Sequence, residues 1–286
     1  MRKRSALLVL APALLVDILL LGLPILYLFS FSFFASQNGT TADGAATLAN
    51  YAKVLTDDFY LLIFGKTLWL AALTTAIVSV LGYCLAHFIW RQNRWRGPFV
   101  ILVLSPLLVS IVVSSYGWMV ILGNNGIINR GLLALGAISG PIKLIYTDAA
   151  IVVGLTHITL PFMVLSILAA LERIDAALPE AAATLGASPA QVLWRVVLPL
   201  ALPGFAAGTT IVFCLSLSAY VTPSVLGGSG PNFITTLIYN EFITQLRWSV
   251  GATLASILLV LSLCIVFIYI NLMSRLGSVR SATVRT

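Results

Sequence analysis

The chain has 286 residues, of which 60% are apolar and only 9% are charged. Soluble globular domains carry about 25% charged residues, so this composition excludes a water-soluble globular protein and predicts one surrounded mostly by lipid. A net charge of +7 would suggest nucleic acid as the partner of a soluble protein, but here the basic residues lie between apolar runs. We assign the charge to orientation in a membrane and expect no nucleic-acid partner.

Six apolar segments are long enough to cross a bilayer, since a membrane helix needs about 20 mostly apolar residues. They lie at approximately 7–34, 61–89, 99–122, 149–171, 203–225 and 250–273. The sequence therefore predicts an all-α polytopic membrane protein with six transmembrane helices, in which residues 1–286 form a single domain. Two further segments, 126–141 and 232–246, are expected to form a loop or interfacial helix and a short amphipathic helix, respectively.

The distribution of basic residues predicts how these spans are oriented. With a cytoplasmic N-terminus, eleven basic residues lie inside and five outside, so both termini are expected in the cytoplasm. The basic residues at positions 2–4 also suit the start of a secretory signal, but the following run contains Asp17 and lacks a clear cleavage pattern. We interpret the run as a retained first helix in the cell inner membrane.

The cytoplasmic loop between the fourth and fifth spans, residues 172–202, is rich in helix signals. Asp175 is suited to cap a helix, Pro179 suits an early helical turn, and Gly186 suits a helix end. A second helix is expected directly afterwards, because Ser188 and Gln191 have the spacing of a capping box. The loop is thus predicted to be a compact pair of short helices. From these signals alone, a docking surface for another protein and a plain return into the membrane are equally supported.

The same loop carries a longer pattern that resembles the EAA loop of ATP-binding-cassette importer permeases, although that family often has Ile where this chain has Val196. The pattern comprises Glu180, Ala181, Ala182, Gly186, Val196, Leu198 and Pro199. Residues 50–51, 126–129 and 199–208 look like the same family, and residues 216–228 are similar to spermidine/putrescine-type permeases. Related permeases for opines, other amine-bearing solutes and ferric iron share much of that last stretch.

The resemblance implies a type I importer permease fold with a cytoplasmic coupling helix between helices 4 and 5. It implies as partners two copies of a cytoplasmic ATP-binding subunit, a second and different permease subunit, and an external solute-binding protein. The coupling residues would be Glu180, Ala181, Ala182, Gly186, Ala187, Ser188 and Pro199. The chain itself is expected to be non-catalytic and without a cofactor, because Gly65-Lys66-Thr67 lacks the first glycine of a phosphate-binding loop.

By the same resemblance, the solute is expected to be a polyamine-like or other amine-bearing small molecule. A permease of the same class for ferric iron or another solute is the alternative. A self-sufficient secondary carrier is disfavoured because the sequence shows no convincing internal repeat. A metal site is not expected, since the three cysteines and two histidines lack ligand spacing.

Polar residues within or beside the spans are candidates for the solute path, because buried polar groups in a membrane are costly. The candidates are Asp17, Tyr116, His157, Tyr220, Thr222 and Glu241. Other roles are open for each kind of residue. Asp17 suits a hydrogen bond to a neighbouring helix, His157 suits a cap for a helix break at Pro161, and the tyrosines suit anchors at the membrane interface. Gly204 and Gly208 are expected to permit close helix packing.

Overall fold

The computed structural model describes residues 15–16, 18–34, 46–92, 94–228, 230 and 232–283, with side chains up to residue 273. The described chain is organised as a series of helices. They are α1 (Ile18–Ser32), α2 (Ala49–Thr56), α3 (Asp58–Arg91), α4 (Arg96–Leu108), α5 (Ile111–Leu122), α6 (Ile127–Ala134), α7 (Asp148–Leu171), α8 (Ala177–Thr184), α9 (Pro189–Leu217), α10 (Val221–Leu226), α11 (Ile234–Tyr239) and α12 (Trp248–Thr283).

Five helical stretches in the described chain are long and apolar enough to cross a membrane. They are α3, α5 continued by α6, α7, α9 and α12, whereas α1 and α4 are shorter apolar helices. The predicted all-α polytopic fold is confirmed, and the helix count agrees roughly with the six predicted spans. The short segments also form helices, α6 near the third span and α11 before the last. Asp17, in the first predicted span, lies outside the described residues.

The third predicted span, 99–122, is wrong as a continuous helix, because the chain is extended at Val109 and Ser110 between α4 and α5. The helix is weakened here because Pro106 has no N–H to donate to the carbonyl one turn earlier. The Ser105 hydroxyl instead donates to the Leu102 carbonyl at 2.7 Å. The final turn of α4 then closes with a tighter bond from the Val109 N–H to the Pro106 carbonyl.

The fifth predicted span, 203–225, is wrong at both ends. Helix α9 starts earlier, because a wide π-helical turn at Leu193–Val197 accommodates Pro199, with the Leu198 N–H donating to the Leu193 carbonyl. The helix also stops earlier, at Leu217, and resumes as α10 after a break at residues 218–220. Pro223 lies just past this break, where its missing N–H and its restriction of the preceding residue disfavour a continuous helix.

The break that was expected at Pro161 does not occur. Helix α7 runs without interruption from Asp148 to Leu171, with Pro161 inside it and buried. Buried neighbours on both sides, among them Thr159 and Met163, hold the helix in place against the cost of the missing hydrogen bond. His157 therefore has no helix end to cap.

The described residues form two compact units, one within Met1–Phe64 and Ile234–Leu261 and the other within Gly65–Phe233 and Ser262–Thr286. In the second unit, α7 and α9 approach closely through glycine. A Cβ added to Gly204 would lie 2.5 Å from the Ala170 Cβ, and one added to Gly208 would lie 2.6 Å from the Met163 sulfur. The expected close packing at these two glycines is confirmed, and these contacts set the antiparallel register of α7 and α9.

Helix α3 packs along α7 in the same unit, and here the register is parallel. At the start of α7, Lys66 forms an ion pair with Asp148, with an N–O distance of 2.8 Å. Further along, a Cβ on Gly82 would lie 2.5 Å from Met163 Cγ. Met163 is therefore enclosed by glycines of two different helices, which explains why it is fully buried.

In the first unit, the Asn50-Tyr51 pair closes the end of α1. The Asn50 amide donates to the carbonyls of Ser32 and Phe34, at 3.2 and 2.9 Å, and the Ser32 hydroxyl bonds to the Tyr51 hydroxyl at 2.6 Å. The Thr253 hydroxyl also donates to the Ser32 carbonyl at 3.2 Å. These bonds satisfy carbonyls that the helix end leaves without an intrahelical partner.

Gly208→Leu should destabilise the protein by about 1–3 kcal/mol, the usual cost of forcing extra volume into a packed interior. The side chain would have to displace Met163 and Ser166. The measurement is the thermal midpoint of the purified protein in detergent. Gly117→Leu is the matched control, since a Cβ there meets nothing within 4 Å. Equal midpoints for the two variants would contradict the close-packing interpretation.

Candidate functional site

The loop after α7 folds as the predicted helix pair. Before α8, the Ala177 N–H donates to an Asp175 carboxylate oxygen at 3.0 Å. After α8, Gly186 has φ of +84°, a left-handed conformation that glycine adopts without strain. The Ala187 N–H then donates to the Ala182 carbonyl, which closes the helix end. The predicted start and stop of the first short helix are thus confirmed.

The second short helix begins with the predicted capping box. The Gln191 N–H donates to the Ser188 hydroxyl at 3.3 Å, and the Ser188 N–H donates to the Gln191 side-chain oxygen at 2.8 Å. Both bonds satisfy donors that a helix start would otherwise leave open. Because caps fix the first helix at both ends and the second at its start, the turn between them has a defined shape.

One side of the helix pair is anchored and the other is exposed. Ala182 and Ala187 pack against a buried cluster that includes Leu171, Val192 and Val197. The exposed residues of the pair include Glu180, Ala181, Gly186 and Ser188, and Pro199 is partly buried. Two large apolar residues, Leu185 and Trp194, are 89% and 67% exposed. The pair therefore presents small side chains and two large apolar ones on a rigid base.

An ion pair that the sequence did not predict lies at the start of this loop. The Arg96 guanidinium contacts the Glu172 carboxylate. Arg96 is the first residue of α4, and a positive charge is unfavourable at a helix N-terminus. Glu172 follows the last residue of α7, and a negative charge is unfavourable at a helix C-terminus. The pair links the start of α4 to the end of α7, the ends of two predicted spans that lie beside the loop. No local sequence spacing could reveal it, because the partners are far apart in the chain.

Two candidates for the solute path lie in a polar cluster that joins α5, α7 and α10. His157 Nδ1 is 3.1 Å from the Ser114 hydroxyl, and its ring makes an edge contact with Trp118, with centroids 5.7 Å apart. The Thr222 hydroxyl is 3.2 Å from that of Ser115. Polar side chains from three separate parts of the sequence therefore meet beside the break between α9 and α10.

The remaining candidates are placed differently. Tyr220 immediately precedes α10, next to the helix break. Tyr116 follows Ser115 on α5 but is exposed, so the structure places it outside the hydrogen-bonded cluster. Glu241 belongs to the first unit and is not part of this cluster.

Glu241 is a buried carboxylate, with a side chain that is 3% exposed. Its Oε1 accepts a hydrogen bond from the Arg247 guanidinium at 2.8 Å, and its carbonyl accepts one from the Arg247 N–H. Leu246 has φ of +54°, an uncommon conformation for a leucine, and it turns the chain so that both bonds form. The second oxygen, Oε2, is buried and makes no hydrogen bond to a protein group.

Known proteins resemble this chain over most of its length. The family model described as "Binding-protein-dependent transport system inner membrane component" matches residues 79–276. The spermidine/putrescine transport system permease protein PotB of Haemophilus influenzae is 30% identical over 248 residues, which cover 86% of each chain. The molybdenum transport system permease protein ModB of Mycobacterium bovis is 32% identical over 219 residues, which cover 76% of this chain and 80% of ModB.

Solved structures share the fold. A bacterial alginate ABC transporter, crystallised in complex with an alginate-pentasaccharide-bound periplasmic protein, matches with a TM-score of 0.79 at 20% identity, covering 96% of both chains. The helical fold, with five apolar helical stretches long enough to span a membrane in the described chain, is that of a multi-pass membrane protein. The chain belongs to the family of binding-protein-dependent transport system inner membrane components. It is thus a non-catalytic permease subunit of an ATP-binding-cassette importer.

Arg247→Gln should lower the stability of the first unit markedly. Removing one partner of a buried, hydrogen-bonded charge pair costs about 2–5 kcal/mol, largely because the other charge stays buried and unpaired. The measurement is the thermal midpoint of the purified protein. The double variant Glu241→Gln with Arg247→Gln removes both charges and should recover much of the loss. A double variant less stable than Arg247→Gln would contradict this account.

Proposed function

We propose that this permease couples solute import to a separate ATPase through the helix pair of residues 172–202. The observation that carries the proposal is the capped, rigid pair with its small exposed residues on a buried base. Such a surface allows close approach by another protein and transmits force without deforming. Glu180, Ala181, Gly186 and Ser188 are exposed and available for contact. Ala182 and Ala187 pack on the buried cluster beneath and hold the pair in place, and Pro199 follows at the start of the membrane helix.

The partners proposed for this chain are two copies of a cytoplasmic ATP-binding subunit, a second and different permease, and an external solute-binding protein. The family is described as binding-protein-dependent, which supports an external solute-binding protein as a partner. The excess of basic residues on one side supports both termini in the cytoplasm, which places the helix pair on the ATPase side. Residues 1–286 are proposed to act as one permease domain.

The proposed solute is a polyamine-like or other amine-bearing molecule. The similarity to PotB covers more of this chain than the similarity to ModB does, at nearly equal identity. The buried Glu241 carboxylate also supports a cationic solute, because its Oε2 has no protein donor and an ammonium group would supply one. We assign His157, Tyr220 and Thr222 to the solute path on account of their position beside the helix break.

Gly186→Asp should uncouple ATP hydrolysis from transport, since it adds a charge and an unfavourable φ at the turn that faces the ATPase. Solute uptake should fall at least tenfold while the complex still assembles. The measurement is ATP hydrolysis and solute uptake in vesicles that hold the complete importer. Glu180→Lys should act in the same direction by reversing an exposed charge.

Gly136→Asp is the matched control for the Gly186 variant. Gly136 also has a positive φ, of +67°, and a Cβ there likewise meets nothing within 4 Å. Strain and charge are therefore equal, and only the location differs. Uptake that stays normal in Gly186→Asp, or that falls equally in both variants, would count against coupling through this loop.

Glu241→Gln should reduce uptake of spermidine several-fold, because it removes the negative charge that favours an ammonium group while preserving size. The measurement is uptake of radiolabelled spermidine by cells that express the complete importer, with molybdate uptake followed in parallel. Asp58→Asn, at an exposed carboxylate of the same unit, is the control. Accumulation of molybdate but not spermidine by the unmodified importer would overturn the amine assignment.

A further inference from the structure

Three serine and threonine hydroxyl groups in the second unit differ from the other serine and threonine hydroxyls of the spans near them. Most of those hydroxyls donate to the carbonyl one turn earlier, as Thr75 does to Ala71 at 2.7 Å and Thr159 does to Leu155 at 2.8 Å. The hydroxyls of Thr74, Thr156 and Ser216 are buried and make no hydrogen bond to a protein group. Their protons are therefore not used by their own helices.

The register of α3 against α7 places two of these hydroxyls at the same level. Lys66 pairs with Asp148, and Gly82 lies against Met163 and Val164. Thr74 stands midway between Lys66 and Gly82, and Thr156 stands midway between Asp148 and Val164. Since the two helices run parallel with the same rise per residue, Thr74 and Thr156 lie at the same level along them.

The register of α9 against α7 brings the third hydroxyl to the same level. Gly208 lies against Met163, and the two helices run in opposite directions. Ser216 follows Gly208 by about two turns, and Thr156 precedes Met163 by about two turns. Ser216 and Thr74 are both completely buried. Each of the three helices thus carries a buried hydroxyl without a hydrogen bond to a protein group. The three hydroxyls lie at the same depth, just before the break between α9 and α10.

The chemistry of this level favours an uncharged ligand. Each hydroxyl offers one donor and accepts through two lone pairs. Helices α3, α7 and α9 carry no acidic residue beyond their first turns, so nothing on them would neutralise an ammonium group at this depth. A buried cation without a counter-charge is strongly unfavourable. A water molecule, by contrast, typically has about three hydrogen-bond partners when it is buried.

We propose that Thr74, Thr156 and Ser216 form a binding site for one uncharged hydrogen-bonding group between the three helices. The group is an internal water molecule, which can donate to and accept from the three hydroxyls. The hydroxyls share this single ligand, and the sharing ties three helices together at one level. The site does not rest on the proposed function, since a buried water needs no particular solute.

The test uses Thr74→Val, Thr156→Val and Ser216→Ala in the complete importer, reconstituted in lipid nanodiscs. Without solute, a shared water predicts that each single variant lowers the thermal midpoint by about 2–4 °C, as expected from the loss of one useful bond. The losses should not add in Thr74→Val with Ser216→Ala, because both remove the same ligand. Thr75→Val is the control, since its hydroxyl serves only its own helix.

Lowered midpoints that do not add in the double variant support the shared water. Midpoints that match that of the unmodified protein overturn the site, because removing truly unpartnered hydroxyls should not destabilise the protein. Losses that add in the double variant also overturn it, because independent losses mean that the hydroxyls hold no common ligand.

Discussion

The close approach of α7 and α9 is the contact on which the second unit depends. Gly204 and Gly208 let the two helices touch without intervening side chains, and Gly82 lets α3 approach the same residue, Met163, from another direction. In lipid there is little hydrophobic driving force between helices, so such van der Waals packing is a principal source of association. The register that these glycines impose decides which polar groups meet elsewhere in the unit.

That register connects the loop to the polar interior. At one end of α7, its last residue, Leu171, packs in the same cluster as Val192 and Val197, which lie under the helix pair. Towards the other end, His157 meets Ser114, and Thr156 lies level with Thr74 and Ser216. A single unbroken helix therefore contacts both the proposed ATPase-docking element and the proposed solute region. A displacement of the loop base would be carried by α7 to the polar level through rigid packing.

Local signals were sufficient to predict the elements whose shape is set within a few residues. The caps at Asp175 and Ser188 and the stop at Gly186 were all found from sequence, because each depends on its own short segment. Prolines were less informative. Pro161 leaves α7 intact and Pro199 is absorbed by a π-helical turn, whereas Pro106 precedes a break. Tertiary packing decides among these outcomes, and a single sequence does not contain it. The ion pair of Arg96 with Glu172 was missed for the same reason.

The π-helical turn at Leu193–Val197 has a consequence for how α9 evolves. A wide turn holds one residue more than an α-helical turn, so losing one residue here can be absorbed by closing the turn to an α-helical one. Deleting one residue between this turn and Gly204 would instead rotate the following helix by about 100°, given 3.6 residues per turn. Gly204 and Gly208 would then no longer face α7. Single-residue deletions should therefore be tolerated at this one turn and excluded from the stretch of α9 that leads to the two glycines.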